Sequence, residues 1–458
     1  MGTVKLDPLT TCHVVALPYP GRGHINPMMN LCKFLVSKKH DMLVTFVVTE
    51  EWHGFIGSDP KPDNIRFATL PNVIPSEIGR AKDFPGFVEA VNTKLQEPFE
   101  RLLDRLEPEA SVIVVDPYVV WAVRVGNNRN IPVASLWTMS ASVFSVLHHF
   151  ELLKENGHFP ADVSVRGDEV IDYIPGISTT RMADLPTVFH EDGQQVLNRA
   201  LEGVSSAYKA QYLLSTSVYE LEPQAFDTLK AKFSSPVYPI GPSIPYVELS
   251  KTAHGNGLDY LQWLDFQPKG SVLYISLGSF LSVSKAQMDE IVAGVKNSGV
   301  RFLWVARGDA SRLKDGVGDM GLVVPWCDQL RVLCHSSVGG FLSHCGWNST
   351  QEAVYAGLPV LTCPIFWDQI PNGKQIVEDW KIGYTVKKKK VGGEDLVTRE
   401  EIAELVQRFM DVESNEGKEM RKRAKQLQET CQGAIAKGGS SDANLDAFIK
   451  DISQGYSH

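Results

Sequence analysis

Between Val338 and Gly357 the chain reads VGGFLSHCGWNSTQEAVYAG: a short apolar run, a turn of small and polar residues, and a helical pattern stopped by glycine. A buried strand feeding a helix across a tight turn is the building unit of a parallel sheet, since parallel neighbours need a crossover connection. The same unit suggests a binding chemistry. The first amides of a helix lack intrahelical acceptors and its dipole adds partial positive charge, so the turn at 344–349 is suited to an anion. His344, Asn348 and Ser349 add side-chain donors, and Glu352, one turn further in, can accept from sugar hydroxyls.

The flanks supply what a phosphate site lacks. Trp326 offers a flat apolar face for a base, and Gln329 offers both a donor and an acceptor. After a second strand-like run, LPVLTCPIF, Asp368 and Gln369 can take sugar hydroxyls. The order is base, phosphates, ribose, sugar. The 44 residues from Trp326 to Gln369 resemble the plant secondary product glycosyltransferase box of the plant UDP-dependent glycosyltransferases. The Trp, the Gln three residues on, the HCGWNS core, the Glu three residues after the Ser and the terminal Asp-Gln carry the likeness. It implies that Trp326 stacks on uracil and Gln329 binds the uridine. His344, Asn348 and Ser349 would hold the diphosphate, Trp347 would line the sugar pocket, Glu352 would bind the ribose, and Asp368 and Gln369 the hexose. A terminal Gln, as at Gln369, usually accompanies UDP-glucose in that family. Gln351 stands where relatives more often carry an apolar residue, at a position that makes no ligand contact.

Blander readings exist for the same residues. Strand, turn and helix with Gly and Ser at the junction occur in any Rossmann-like half, and the three tryptophans could be core. Cys334-His335 and His344-Cys345 are adjacent pairs whose side chains diverge on a strand, so no metal site is expected.

A length of 458 residues predicts at least two domains, and 43% hydrophobic with 22% charged residues is ordinary for a soluble chain. A net charge of −9 argues against a nucleic-acid partner. The basic run from Lys387 to Lys390 reads as a solvated turn. Seven cysteines without CxxC spacing read as reduced thiols. The apolar run at 13–17 is too short for a signal peptide, and no window reaches a membrane span. The expectation is a cytoplasmic protein with no transmembrane segment.

In the first half, a strand at 12–17 precedes PYPGRGHINPMMNLCKFLV. Asn26 reads as a helix cap and Pro27 as the first helical residue, which makes 21–26 a strand-to-helix loop. As a dinucleotide fingerprint it fails, since the third glycine position is Asn26. Strands at 42–48 and 65–70, a helix at 84–106, a strand at 111–115 ending at Asp116, and a strand at 132–136 leading to Thr138 continue the alternation. By resemblance, His24 in its GHxxP setting is the catalytic base, Asp116 its hydrogen-bond partner, and Thr138 a neighbour of the donor sugar. Arg22 departs from the Gln common two places before that His and could touch the donor or an acidic acceptor. The weaker pattern at 150–201 reads as acceptor loops. After strands at 212–215 and 237–239 and a Pro- and Gly-rich linker, the second half restarts at 258–266 and SVLYISLGSF, where Ser279 would lie near the diphosphate by resemblance. Further strands are expected at 300–305, 321–324, 338–342 and 359–362. Thr398 with Glu401 forms a capping box, and a last helix begins at 440.

The expected fold is α/β, with the GT-B architecture implied by the resemblance: two Rossmann-like parallel-sheet domains facing across a cleft. Residues 1–242, joined by the C-terminal helix at about 440–458, would bind the acceptor; 243–257 would be a linker; 258–439 would bind the UDP-sugar. The expected activity is inverting, metal-independent transfer of glucose from UDP-glucose to a hydroxyl or carboxyl of a small plant-type metabolite, by a monomer without a cofactor. The alternatives are a non-catalytic nucleotide-sugar-binding protein, which the presence of both His24 and Asp116 disfavours, and a nicotinamide oxidoreductase, which the broken glycine fingerprint disfavours.

Overall fold

The computed structural model describes residues 12–190, 193–249, 259–278, 283–306, 320–386 and 396–454. The basic run at 387–390 and Ser279 fall outside these residues. In the first half, strands β1 (His13–Leu17), β2 (Leu43–Thr49), β3 (Ile65–Leu70), β4 (Val112–Val115) and β5 (Val133–Trp137) are followed by a short antiparallel pair, β6 (Val170–Ile171) and β7 (Thr180–Arg181). Strands β8 (Tyr212–Ser215) and β9 (Val237–Pro239) complete a seven-stranded sheet of order β3-β2-β1-β4-β5-β8-β9. Its strands pair in parallel. Every residue of β1 and β4 is buried, as expected where helices cover both faces.

The second half builds β10 (Val272–Ser276), β11 (Arg301–Val305), β12 (Gly321–Val324), β13 (Val338–Ser343), β14 (Val360–Thr362) and β15 (Gly383–Thr385). They form a six-stranded parallel sheet of order β12-β11-β10-β13-β14-β15. The last strand, GYT, has no expectation from sequence, because it is not an apolar run. The box at Thr398 forms as expected, with Thr398 accepting from Glu401 N and the Glu401 carboxylate accepting from Thr398 N.

Three helices differ from expectation. The first begins at Arg22 with Gly21 as its cap, not at Asn26, so His24 lies in its first turn and Pro27 inside it. The stretch at 84–106 divides into Phe84–Lys94 and Gln96–Leu103. Pro98 cannot donate to the carbonyl four residues back, which ends the first helix at that point. The weakly patterned 150–201 region contains a helix, Gln194–Ala207, with Val196, Leu197, Ala200 and Val204 buried.

Each sheet reverses its strand order beside its first strand, between β1 and β4 and between β10 and β13. In open parallel sheets the crevice outside the carboxyl ends at such a reversal is where ligands bind. The helix that follows β1 carries His24 in its first turn and the loop leaving β4 carries Asp116; the loops leaving β10 and β13 carry Gly278 and His344. All four residues except Asp116 line a single cleft of about 650 Å³ between the sheets. The final helix, Ser440–Gln454, packs Leu445, Phe448 and Ile452 into the core of the first sheet.

Candidate functional site

Asp116 is fully buried at the end of β4. One of its oxygens, Oδ1, accepts from Tyr118 N at 3.0 Å, and the other, Oδ2, lies 2.7 Å from His24 Nδ1. An ionised carboxylate can only accept, so the proton between them resides on Nδ1 and the lone pair on Nε2. Thr138 Oγ1 stands 3.0 Å from the same Nδ1, so Thr138 sits on the His24–Asp116 pair itself. Behind it the buried Glu222 accepts from the amides of Ala141 and Ser142 at 2.9 and 3.0 Å, which pins the start of the helix Ala141–His148. His24 keeps 22% of its side chain exposed in the cleft.

Across the cleft the helix Trp347–Ala356 starts at Gly346 and ends on Gly357 in the left-handed conformation, φ 71°. His344, two residues before its cap, has a buried Nδ1 without a partner. Burial lowers its pKa to about 4, so the ring is neutral. Gly278 has φ +86°, and a Cβ there would approach His344 Cδ2 to 2.7 Å, so only glycine lets the β10 and β13 turns come this close.

Gln329, Ser349 and Glu352 form one network. Gln329 Nε2 donates to Ser349 Oγ at 3.0 Å and to Glu352 Oε2 at 2.5 Å, while its Oε1 accepts from the Tyr274 hydroxyl at 3.1 Å. Burial pushes Glu352 up to about 7, partly offset by the bond from Gln329. Trp326, 59% exposed, leaves a ring face open at this end. Tyr274 carried no signal in the sequence: within SVLYIS it reads as one more buried strand residue, and its hydroxyl partner lies on another element.

Asp368 and Gln369 stand at the opposite end. Burial raises Asp368 to about 6, against hydrogen bonds from Asn372 and the backbone and the attraction of nearby His24. Gln369 Oε1 accepts from the amides of Ile365 and Phe366 at 2.9 and 3.1 Å, and the residue lines the cleft. Trp347 is 3% exposed. With the Gln351 amide oriented to satisfy both ends, its oxygen accepts from Trp347 Nε1 at 2.8 Å and its nitrogen donates to Thr216 O of the first domain. The polar residue at this position is therefore a cross-domain bridge.

Aromatic rings wall the space in front of His24. Tyr19 and Tyr118 lie 5.1 and 6.1 Å from its ring, and Phe84 packs edge-on against both Phe366 and Trp367. Arg22 lines the cleft with its guanidinium 5.7 Å over the Trp52 ring. Thr187 reaches across from the first domain: its Oγ1 accepts from Trp367 N at 2.8 Å, and its own N donates to Trp367 O at 3.2 Å. Trp367 is a non-glycine residue at φ +58°.

Two parallel-sheet α/β domains whose reversal points meet at one cleft define a GT-B glycosyltransferase. Comparison with known proteins narrows this. A family model described as UDP-glucoronosyl and UDP-glucosyl transferase matches residues 206–406. UDP-glycosyltransferase 87A1 of Arabidopsis thaliana is 58% identical over 440 residues, 96% of this chain and 100% of that protein. Among solved structures, Os79 from O. sativa in complex with U2F and trichothecene superposes with a TM-score of 0.83 at 26% identity, over 96% of this chain and 100% of that one. Medicago truncatula UGT71G1 complexed with UDP-glucose gives 0.82 at 26% identity, over 97% and 98%. The chain belongs to the plant UDP-glycosyltransferase family, and its donor is a UDP-sugar. Among the described residues no helix is long and apolar enough to cross a membrane.

Proposed function

We propose that the protein transfers glucose from UDP-glucose, with inversion, to a hydroxyl of a small, largely apolar metabolite. The observation that carries the reading is the His24–Asp116 pair at 2.7 Å, facing the same cleft as the helix start at Trp347. His24 Nε2 takes the proton of the acceptor hydroxyl. The acceptor oxygen bonds to the anomeric carbon as the bond from that carbon to the diphosphate oxygen breaks, and UDP leaves with the electron pair. Asp116 and Thr138 hold the ring and stabilise the imidazolium. Charge on the departing diphosphate meets the first amides of the helix Trp347–Ala356 together with His344, Asn348 and Ser349, an arrangement that supplies positive potential without a metal ion.

Trp326 would carry uracil, Gln329 the uridine, Glu352 the ribose, and Asp368 with Gln369 the hexose. Residues 1–242 with the last helix would form the acceptor domain, 243–257 the linker, and 258–439 the donor domain. The rings of Tyr19, Phe84, Tyr118 and Trp367 support an acceptor with a flat apolar body. UGT71G1, complexed with UDP-glucose, supports the choice of hexose. His24→Ala should lower turnover with phenolic and alcohol acceptors by roughly 100-fold or more, with UDP affinity by calorimetry unchanged. Turnover within a few-fold of wild type would reject His24 as the base. A carboxylate acceptor needs no deprotonation, so glucose-ester formation should survive the substitution better.

A further inference from the structure

Pro27 lies within the helix Arg22–Lys38, past its first turn. Any other residue there would donate its N–H to the carbonyl of Gly23, four positions back. Proline has no N–H, and its ring presses that carbonyl away from the helix axis. The oxygen released in this way belongs to the residue directly before His24. Asn348 Nδ2, from the helix start of the second domain, donates to it at 3.0 Å. The other amide atom, Asn348 Oδ1, is buried and unpartnered. Thus the side-chain amide is held through its nitrogen alone, by the backbone of the opposite domain. A second tie secures the same stretch where the chain crosses between domains: Ser243 Oγ donates to Pro27 O at 2.8 Å, and Asn30 Nδ2 donates to Ser243 O at 2.9 Å.

We propose that Pro27 is a positioning residue: by withholding a donor from the Gly23 carbonyl, it makes that oxygen the docking point for Asn348 and so sets His24 at a fixed height over the turn that binds the diphosphate. The proposal rests on the reading of His24 as base and of the Trp347 helix start as diphosphate site. A proline retained solely for helix stability would make no sense here, because proline in a helix interior is the least favourable residue. Its place is explained by the bond it gives to the other domain. The bond also links two jobs at Asn348, which holds the lobes together through one amide hydrogen while a second remains for the donor.

The test uses the full chain and the variants Pro27→Ala, Asn348→Ala and the double substitution. Alanine at 27 restores the intrahelical donor and draws the Gly23 carbonyl back toward the axis. Pro27→Ala should have a melting temperature no lower than wild type and a UDP Kd within twofold, yet kcat at least tenfold lower. In the Asn348→Ala background the same change should alter kcat by less than twofold, since the bond is already gone. Without any ligand, amide hydrogen exchange across 347–350 should run at least threefold faster in Pro27→Ala. Wild-type kcat, additive effects or unchanged exchange would overturn the proposal. A wild-type protein that binds UDP but transfers no sugar would refute the functional reading instead, and the exchange comparison would still decide the docking bond.

Discussion

Asp116 directs its two oxygens to different partners, and that division predicts how it fails. Tyr118 N–H holds Oδ1, so an asparagine at 116 would keep its oxygen there and turn its NH₂ toward His24. The imidazole would then have to accept at Nδ1 and carry its proton on Nε2, the nitrogen required to be basic. Asp116→Asn should therefore be slower than Asp116→Ala, about 100-fold or more below wild type with alcohol acceptors, with UDP affinity by calorimetry unaltered in both. Equal rates for the two variants would show that the tautomer is not what Asp116 controls. Glu352 makes a second prediction at this scale. Burial holds its carboxyl near 7, and the ionised form, which accepts at both oxygens and donates at neither, is the better partner for ribose hydroxyls. With Glu352 as the proposed ribose partner, ribose binding should release a proton, and affinity should rise with pH through 7 and level off above it. Uridine, which has no phosphate to engage His344, should bind more tightly at pH 8 than at pH 6, by up to about tenfold, as followed by competition or NMR. Glu352→Gln should flatten the dependence.

At the scale of elements, the cleft is closed by backbone and side-chain bonds that cross from one domain to the other. Thr187, in the one-turn helix Thr187–Phe189, grips Trp367 on both its N–H and its carbonyl, and Trp367 holds a left-handed backbone immediately before Asp368. Thr187→Val would keep the bond from its own amide and leave the part-buried Trp367 N–H without its acceptor, a loss of about 1 kcal/mol. The segment carrying Asp368 should loosen. Transfer from UDP-glucose should fall about tenfold in kcat/KM, whereas UDP, which has no hexose, should bind as before; an equal loss for both ligands would remove Thr187 from the hexose site. Sequence could not reveal such a contact. Strands were legible because each is an apolar run between turn residues, and β3, β8, β9 and β12 have the bounds their residues suggest. The local signature of Asn26-Pro27 misled, because a cap-and-proline pattern describes intrahelical preference and cannot see the partner that Asn348 supplies to the Gly23 carbonyl from 325 positions away. The residues expected on the donor side could be named from their spacing along the stretch 326–369, and Trp326, Gln329, His344, Trp347, Asn348, Ser349, Glu352, Asp368 and Gln369 all line the cleft. Gln351, Thr187 and Tyr274 were not, since each acts through a partner on a separate element.

At the scale of the whole molecule, the reversal points explain why two similar domains give one site, and the last helix explains how the chain is closed. Alternation along the sequence predicts parallel sheets; it does not predict that two sheet edges face each other, which entered only through the resemblance. The helix Ser440–Gln454 follows the second domain in sequence yet buries Phe448 completely among first-domain residues, edge-on to Tyr212. Lys38 pairs with Asp442 and Asp446 at 2.5 and 2.7 Å, and the Tyr238 hydroxyl donates to Asp451. Phe448→Ala should thus remove about 3–5 kcal/mol from the first domain's stability, although the substitution lies more than 60 residues beyond the last strand of the second. UDP, bound as proposed by the second domain, should stabilise that domain by mass action in proportion to the logarithm of its concentration over Kd. Calorimetric scans should therefore separate the two: the variant lowers the transition of the first domain, and UDP at a hundred times its Kd raises that of the second by about 3 kcal/mol. If both perturbations move one shared transition, the domains unfold as a single unit, and the bonds from Asn348, Gln351 and Thr187 couple them more strongly than their separate cores would suggest.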